Sequence, residues 1–183
     1  MHLNNNELES LIRNVVERLV DDSAPGSATP KAIAFGADHG GFQLKESLKE
    51  HAGTLGFQIK DCGTFSTDAV DYPDFAVKVA QAVATGQCRY GVMVDGAGIG
   101  SCMAANKIPG ARAALCYDIS TANNAREHNN ANVLTLGAGL IGPALAKAIL
   151  KTFVTTECTE PRHQRRVDKI DALLPGGIRS EGF

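Results

Sequence analysis

The first twenty residues carry apolar and polar side chains at the spacing of an amphipathic helix. The apolar positions of residues 3–20 that recur at steps of three and four are Leu8, Leu11, Ile12, Val15, Val16 and Leu19. Such spacing places the apolar side chains on one stripe of a helix. Residues 21–30 are rich in Ser, Ala, Pro and Gly and have no such period, so we predict a flexible linker there.

From residue 31 onward, short apolar runs alternate with helical patterns. The runs predict five buried strands, over residues 32–36, 57–61, 90–95, 111–116 and 132–136. The helical patterns cover residues 42–55, 74–85, 101–107, 120–127, 143–155 and 161–173. This alternation predicts an α/β fold with a parallel, doubly wound sheet. Residues 31–174 form the predicted domain, and residues 175–183 have no pattern and are predicted to be a flexible tail.

Composition narrows the class of protein. The chain has 183 residues, of which 44% are hydrophobic and 21% charged, as expected of one globular domain. Its net charge of -2 gives no reason to expect nucleic acid or an anionic membrane as partner, and no apolar run approaches a membrane span. The five cysteines are an odd number without metal-ligand spacing or a signal peptide, so we expect a cytoplasmic protein and no metal.

The strongest local signal is a glycine-rich loop directly after the third predicted strand. That strand ends at Asp95 and is followed by Gly96-Ala97-Gly98-Ile99-Gly100, with Ser101 opening a helix. Glycines let backbone amides and a helix N-terminus converge on an oxyanion or phosphate. Two alternatives are a tight turn without ligand and a dinucleotide site that uses Asp118. The latter lacks its third glycine and leaves little chain for a substrate domain.

Charged and titratable residues follow two other elements. Arg162 and Arg166 are four residues apart, so on a helix they share a face that can grip a phosphate, although a solvated basic turn has the same sequence. Arg112 is a third cation, which could instead pair with a carboxylate. His39 follows the first strand beside Asp38, and His128 lies at a helix end. Either histidine could move protons near neutral pH or be structural.

Six motifs taken together resemble the ribose-5-phosphate isomerase B and galactose-6-phosphate isomerase family over nearly all of residues 31–173. The motifs are Gly36-Ala37-Asp38-His39-Gly40-Gly41-Phe42, Asp71-Tyr72-Pro73, Gly96-Ala97-Gly98-Ile99-Gly100, Ala104-Ala105-Asn106-Lys107, Arg126-Glu127-His128-Asn129 and Arg162-His163-Gln164-Arg165-Arg166. The resemblance implies a Rossmann-like, three-layer α/β/α sandwich, no cofactor, and a homodimer or tetramer with active sites between subunits.

The resemblance also implies a reaction and the residues that perform it. An aldose phosphate becomes a ketose phosphate through a cis-enediolate, with ribose 5-phosphate to ribulose 5-phosphate as the default. His128 is the implied ring-opening residue, and Gly96, Gly98 and Gly100 belong to the loop that stabilises the enediolate. The implied substrate contacts are Asp38, His39, Tyr72, Ala97, Ser101, Arg112, Asn129, Arg162 and Arg166.

This chain departs from the family at the base. Some members have cysteine where this chain has Asp95, and others have glutamate where it has Ser101; the usual loop hydroxyl is replaced by Ala97. We therefore take Asp95 as the candidate base, with the alternative that its carboxylate only holds the glycine loop. Two further alternatives are a sugar-phosphate binding or scaffold protein without turnover and an isomerase of a four-carbon or six-carbon sugar phosphate.

The N-terminal helix requires a separate interpretation. Glu7-Leu8-Glu9-Ser10-Leu11-Ile12-Arg13 resembles the targeting helices that carry enzymes into bacterial microcompartments. An isolated amphipathic helix needs a partner for its apolar face, and shell or cargo proteins of a microcompartment are candidates for residues 3–20. The alternative is a helix that packs on its own domain or on a second subunit.

Overall fold

The computed structural model describes residues 31–173. The predicted helix over 1–20, the linker over 21–30 and the tail over 175–183 lie outside the described residues. The strands are β1 (Ala32–Ala37), β2 (Gln58–Asp61), β3 (Tyr90–Asp95), β4 (Ala113–Leu115) and β5 (Val133–Gly137). The helices are α1 (Phe42–Thr54), α2 (Tyr72–Ala84), α3 (Ile99–Ala105), α4 (Ile119–Asn129), α5 (Pro143–Thr155) and α6 (Pro161–Asp171).

The five strands form one parallel sheet in the order β2-β1-β3-β5-β4, which confirms the predicted fold class. The chain winds from β1 outward to β2 and then returns to place β3 on the other side of β1. The strand order therefore reverses between β1 and β3. In open parallel sheets, ligands bind beyond the carboxyl ends of the strands at such a point.

Helices cover both faces of the sheet and enclose two apolar cores. Helices α1, α4 and α5 pack on one face, where Phe35, Leu134 and Ile149 are fully buried. Helix α2 packs on the other face, with α3 beside it, and brings Val79 close to the strands. A Cβ on Gly91 would lie 2.6 Å from Val79, so this close approach of α2 requires a glycine on β3. None of the helices within residues 31–173 is long and apolar enough to cross a membrane.

The prediction of five buried strands was wrong for the two edge strands. β2 is largely exposed and β4 is only half-buried, whereas β1, β3 and β5 are buried throughout. An edge strand has a neighbour on one side only, so its side chains are less covered. Two helices begin two residues earlier than predicted: α2 begins at Tyr72 and α3 at Ile99, inside the glycine loop.

Candidate active site

The candidate site residues fall into two groups at opposite ends of the strands. We call the side of the sheet where the parallel strands end the carboxyl edge, and the side where they begin the amino edge. The carboxyl-edge group follows the ends of β1 and β3 or adjoins them, and comprises Asp38, His39, Tyr72, Asp95, Gly96, Ala97, Gly98, Gly100 and Ser101. The amino-edge group lies where strands begin and α4 ends, and comprises Arg112, His128, Asn129, Arg162 and Arg166. β3 has six residues, so the two edges are separated by roughly 20 Å. One chain does not bring the two groups together.

Asp95 lies at the centre of the carboxyl-edge group, and its side chain turns back into the glycine loop. The residue is 4% exposed. Its Oδ1 accepts hydrogen bonds from the amides of Ala97, at 2.9 Å, and Gly98. Its Oδ2 accepts from the amide of Ser101, at 3.1 Å, and from the Ser101 hydroxyl. Four donors therefore occupy the four lone-pair positions of the carboxylate, which is the geometry expected of the loop-holding alternative.

The carbonyl groups of the same loop accept hydrogen bonds from residues that follow β4 and β5. The amide of Ala138 donates to the carbonyl of Asp95 at 2.8 Å, and that of Gly139 donates to the carbonyl of Gly96 at 3.0 Å. The Tyr117 hydroxyl donates to the carbonyl of Ala97 at 2.8 Å. Hydrogen bonds on both sides thus fix the orientation of successive peptide units.

Three amides of the loop remain available to a ligand. Within residues 31–173, no hydrogen bond is made by the N–H groups of Gly96, Ile99 and Gly100. Ile99 and Gly100 are the first two residues of α3, whose N-terminal dipole favours negative charge. The loop therefore has an inner set of amides bound to Asp95 and an outer set that can receive an oxyanion.

The remaining carboxyl-edge residues surround this loop. Asp38 is buried, and its carboxylate accepts a hydrogen bond from the amide of Gly41 at 2.8 Å. His39 is exposed, and its Nδ1 accepts from the amide of Val70 at 3.3 Å, so the neutral ring carries its proton on Nε2. Tyr72 packs on Gly100, where a Cβ would lie 2.5 Å from the ring. β1, β3 and the start of α2 thus supply one continuous rim.

A buried lysine on α1 holds the start of the connection between β2 and α2, next to the carboxyl-edge group. The sequence analysis did not single out this residue. Lys45 on α1 is fully buried and donates to Asp61 at 2.8 Å and to the carbonyl of Thr64 at 2.7 Å. Burial opposes ionisation of Asp61, but hydrogen bonds from Lys45, Lys49 and the amide of Gly63 hold the pKa of this carboxyl below its usual range. A buried charge with this many partners fixes the position of residues 61–64.

At the amino edge, Arg112 already has a carboxylate partner. It precedes β4 instead of lying on it, and its guanidinium contacts both carboxylate oxygens of Asp171 on α6, at 2.9 and 3.1 Å. Its Nε also donates to the carbonyl of Asn130 at 3.0 Å. This is the pairing with a carboxylate that the sequence left open, and a phosphate would have to share the guanidinium with Asp171.

His128 lies in the last turn of α4 and packs against a second histidine. The ring centroids of His128 and His163 are 4.2 Å apart. Nδ1 of His128 is 3.1 Å from the side-chain amide nitrogen of Asn124, which is a donor, so the neutral His128 ring carries its proton on Nε2. His163 is 4% exposed and lies on α6, with its Nδ1 3.2 Å from the carbonyl of Glu127. The pair joins the end of α4 to the start of α6.

A buried arginine holds the backbone beneath these histidines. Arg126 is 3% exposed, and its guanidinium donates to the carbonyls of Thr156, at 3.1 Å, and Ala131, at 2.5 Å, and to the side chain of Asn130, at 2.9 Å. Its guanidinium also lies over the ring of Tyr90, 5.0 Å from the centroid. Burial lowers the pKa of the Arg126 guanidinium. This contact set fixes the end of α4, where His128 and Asn129 lie.

The two candidate phosphate-binding arginines of α6, Arg162 and Arg166, are exposed. The Arg162 side chain is 68% exposed and lies 3.9 Å from Glu160, and Arg166 follows one helical turn later. Asn129 is also exposed. Three cations with Asn129 and His128 can therefore bind an anion that approaches from outside the chain.

Other ligand types fit the described residues less well. Asp118, which a dinucleotide site would need, caps α4 by accepting from the amide of Thr121 at 2.7 Å. Residues 31–173 contain no group of three or more His, Cys, Asp or Glu side chains placed to hold a metal ion. The residues that sequence reasoning missed are Lys45, Tyr117, Arg126 as an anchor, and His163. Helical periodicity places Lys45, Arg126 and His163 on the buried faces of their helices. The partners of these side chains, and the role of Tyr117, depend on tertiary contacts that periodicity does not reveal.

Comparisons with known proteins identify the family of this chain. A family model described as Ribose/Galactose Isomerase matches residues 33–170. The chain is 41% identical over 143 residues to ribose-5-phosphate isomerase B of Escherichia coli, covering 78% of this chain and 96% of the relative. The structure resembles type B ribose 5-phosphate isomerase of Trypanosoma brucei, with 46% identity, a TM-score of 0.75, and coverage of 77% of this chain and 97% of the other. It likewise resembles ribose-5-phosphate isomerase B of Clostridium thermocellum, with 44% identity, a TM-score of 0.75, and coverage of 76% and 95%.

Proposed function

The chain belongs to the ribose/galactose isomerase family, and we propose that it interconverts ribose 5-phosphate and ribulose 5-phosphate. The observation that carries this proposal is the outer set of loop amides, from Gly96, Ile99 and Gly100, at the switch point of the sheet. An aldose-ketose isomerisation passes through an enediolate, whose developing negative charge needs preorganised donors of this kind.

Substrate binding and ring opening fall to the amino-edge group. We assign the phosphate to Arg162 and Arg166, with Arg112 sharing its charge between Asp171 and the phosphate. His128 is the ring-opening residue in this proposal. In its protonated form the ring gives the Nε2 proton to the sugar ring oxygen as the bond from that oxygen to C1 breaks. The anomeric hydroxyl gives its proton to water as the C1 carbonyl forms. Asn129 contacts the sugar hydroxyls.

The isomerisation itself falls to the carboxyl-edge group. The base removes the proton from C2, the electron pair forms a C1=C2 double bond, and the carbonyl oxygen on C1 becomes an oxyanion at the outer amides. The proton then returns to C1, while the O2 hydroxyl passes its proton to the oxyanion on O1 and becomes the ketone. Asp95 is our candidate base. Its lone pairs are filled here, but the Ser101 hydroxyl can rotate away and free one of them on Oδ2.

The separation of the two groups leads to a proposal about assembly. A sugar phosphate cannot contact groups roughly 20 Å apart at opposite edges of one sheet. We therefore propose that two copies of the chain meet so that the carboxyl edge of one faces the amino edge of the other. Asp38, His39 and Tyr72 would then border a sugar whose phosphate lies on the arginines of the second copy.

Conversion of ribose 5-phosphate by the purified protein, without added metal, tests the proposal. We expect turnover by the wild type and at least a thousandfold lower kcat for Asp95→Asn, because the amide cannot accept a proton and also faces the loop donors. Stabilisation by the sugar phosphate without turnover by the wild type would refute this activity. A panel of four-carbon and six-carbon sugar phosphates would then separate another isomerase from a binding protein.

For the N-terminal segment we keep the proposal that residues 3–20 dock on the shell or on other cargo of a bacterial microcompartment. Its support is the amphipathic pattern alone. Deletion of residues 1–24 should leave isomerase activity intact and abolish co-fractionation with shells. Unchanged co-fractionation would refute the targeting role.

A further inference from the structure

Tyr117 stands out among the residues to which the proposed reaction gives no role. It lies between β4 and α4, on the far side of β5 from the glycine loop. It is partly buried, and its hydroxyl donates to the carbonyl of Ala97 at 2.8 Å. A residue twenty positions away along the chain thus contacts the backbone of the loop directly.

The peptide unit between Ala97 and Gly98 is held on both sides. Its carbonyl accepts from Tyr117, and its N–H donates to Oδ1 of Asp95. The carbonyls of Asp95 and Gly96 are bound by backbone amides that no substitution of a side chain removes. Among residues 95–97, Ala97 is therefore the position whose carbonyl depends on a side chain.

This peptide unit is also the one whose rotation the sequence permits. Gly98 has a φ of +76°, in the left-handed region, and a glycine can change to a negative φ at little cost in free energy. Rotation of the peptide would withdraw the Gly98 N–H from Asp95 and turn the Ala97 carbonyl oxygen towards the carboxylate, which has no proton to donate. The inner and outer amides share one short loop, so the outer set would lose its orientation as well.

We propose that Tyr117 is a positioning residue for the isomerisation: its hydroxyl clamps the Ala97–Gly98 peptide so that the loop amides stay directed at the enediolate. The proposal rests on the proposed function of the loop. It adds a residue on the β4–α4 connection that acts on the reacting atoms only through the backbone of the loop.

The clamp predicts which kinetic constant changes. The cations assigned to the phosphate lie at the amino edge, whereas Tyr117 acts at the carboxyl edge. Loss of the hydroxyl should therefore weaken stabilisation of the transition state without weakening ground-state binding. Such a change lowers kcat and leaves KM almost unchanged.

The test is Tyr117→Phe, which removes one oxygen and keeps the ring. We expect a fall in kcat of about tenfold, the loss of roughly one well-placed hydrogen bond, with KM changed less than twofold. A phosphorylated hydroxamate, which mimics a cis-enediolate, should bind more weakly by the same factor, while the Kd of inorganic phosphate stays constant. Thr85→Val is the control, because the Thr85 hydroxyl also donates to a backbone carbonyl, that of Gln81 at 2.8 Å, but contacts neither the loop nor the proposed phosphate site. It should keep the wild-type kcat.

Retention of kcat within twofold by Tyr117→Phe would overturn the proposal, as would equal losses in the binding of hydroxamate and phosphate. Amide hydrogen exchange keeps this test separate from the proposed activity. Gly98 should exchange faster in Tyr117→Phe than in the wild type, even if the wild type turns over none of the sugar phosphates. Unchanged protection of Gly98 would mean that Tyr117 does not clamp the loop.

Discussion

The carboxyl and amino edges of the sheet are built in contrasting ways. At the carboxyl edge, a buried carboxylate and a tyrosine hydroxyl fix a short backbone loop from both sides, at Asp95 and Tyr117. At the amino edge, the cations project from α6 into solvent, and the one that is partly covered, Arg112, is held by Asp171. At the carboxyl edge, the chain itself holds the loop amides in place. At the amino edge, the backbone is held in place, but the charged ends of the α6 side chains are exposed to solvent.

This difference indicates a division of labour. Stabilising an enediolate requires donors that need no reorganisation during the reaction. The outer loop amides provide them, because Asp95 holds the inner amides of the same loop. Binding a phosphate requires charge that is accessible and can exchange water for the ligand, and the exposed Arg162 provides it. We expect substitutions at the two edges to change different kinetic constants.

The largest effect should come from the buried anchor of the amino edge. Arg126→Met should lower the free energy of unfolding by about 3 kcal/mol, because the carbonyls of Thr156 and Ala131 lose a charged donor. Urea denaturation measures it. Arg89→Met is the control, since Arg89 contacts Glu157 with a side chain that is 38% exposed, and it should cost at most about 1 kcal/mol. Equal losses in the two variants would contradict the anchoring role.

Substitution of an exposed arginine at the amino edge should change KM more than kcat. Arg162→Met should raise KM for ribose 5-phosphate by about tenfold or more and change kcat less than threefold, because a charge-assisted contact to the phosphate is lost in ground and transition states alike. Arg165→Met, at an exposed position of the same helix, serves as the matched control and should leave both constants within twofold. Similar kinetics for the two variants would remove Arg162 from the phosphate site.

The smallest change in the free energy of unfolding should come from Asp61, at the start of the connection between β2 and α2. The pKa of Asp61 is lowered in the folded state, so its contribution to stability is present above the unfolded pKa of about 3.9 and is lost as the pH falls through the folded pKa. Asp61→Asn should therefore cost about 1 kcal/mol at pH 7, and progressively less in acid. Asp68→Asn, on the same connection but exposed, is the control and should change the free energy of unfolding at pH 7 by at most about 0.5 kcal/mol. A cost for Asp61→Asn that is independent of pH would contradict the ion pair with Lys45.

Short-range patterns predicted the parts of the molecule that depend on neighbours along the chain. Apolar runs located β1, β3 and β5, and the run of glycines located the loop after Asp95. The roles of Tyr117 and Arg126 could not be predicted, because their partners lie twenty and thirty residues away. Those contacts exist because β5 lies between β3 and β4 and because α5 returns to the amino edge, and periodicity does not specify strand order.

In the proposed assembly, one active site uses the carboxyl edge of one chain and the amino edge of another. Co-expression of Asp95→Asn with His128→Asn, each inactive by itself and carrying a different affinity tag, tests it most directly. Random pairing of two chains in a dimer makes half of the dimers mixed with one of two sites intact, so we predict about a quarter of wild-type activity, recovered in the doubly tagged fraction. A doubly tagged fraction no more active than the two variants alone would contradict the shared site.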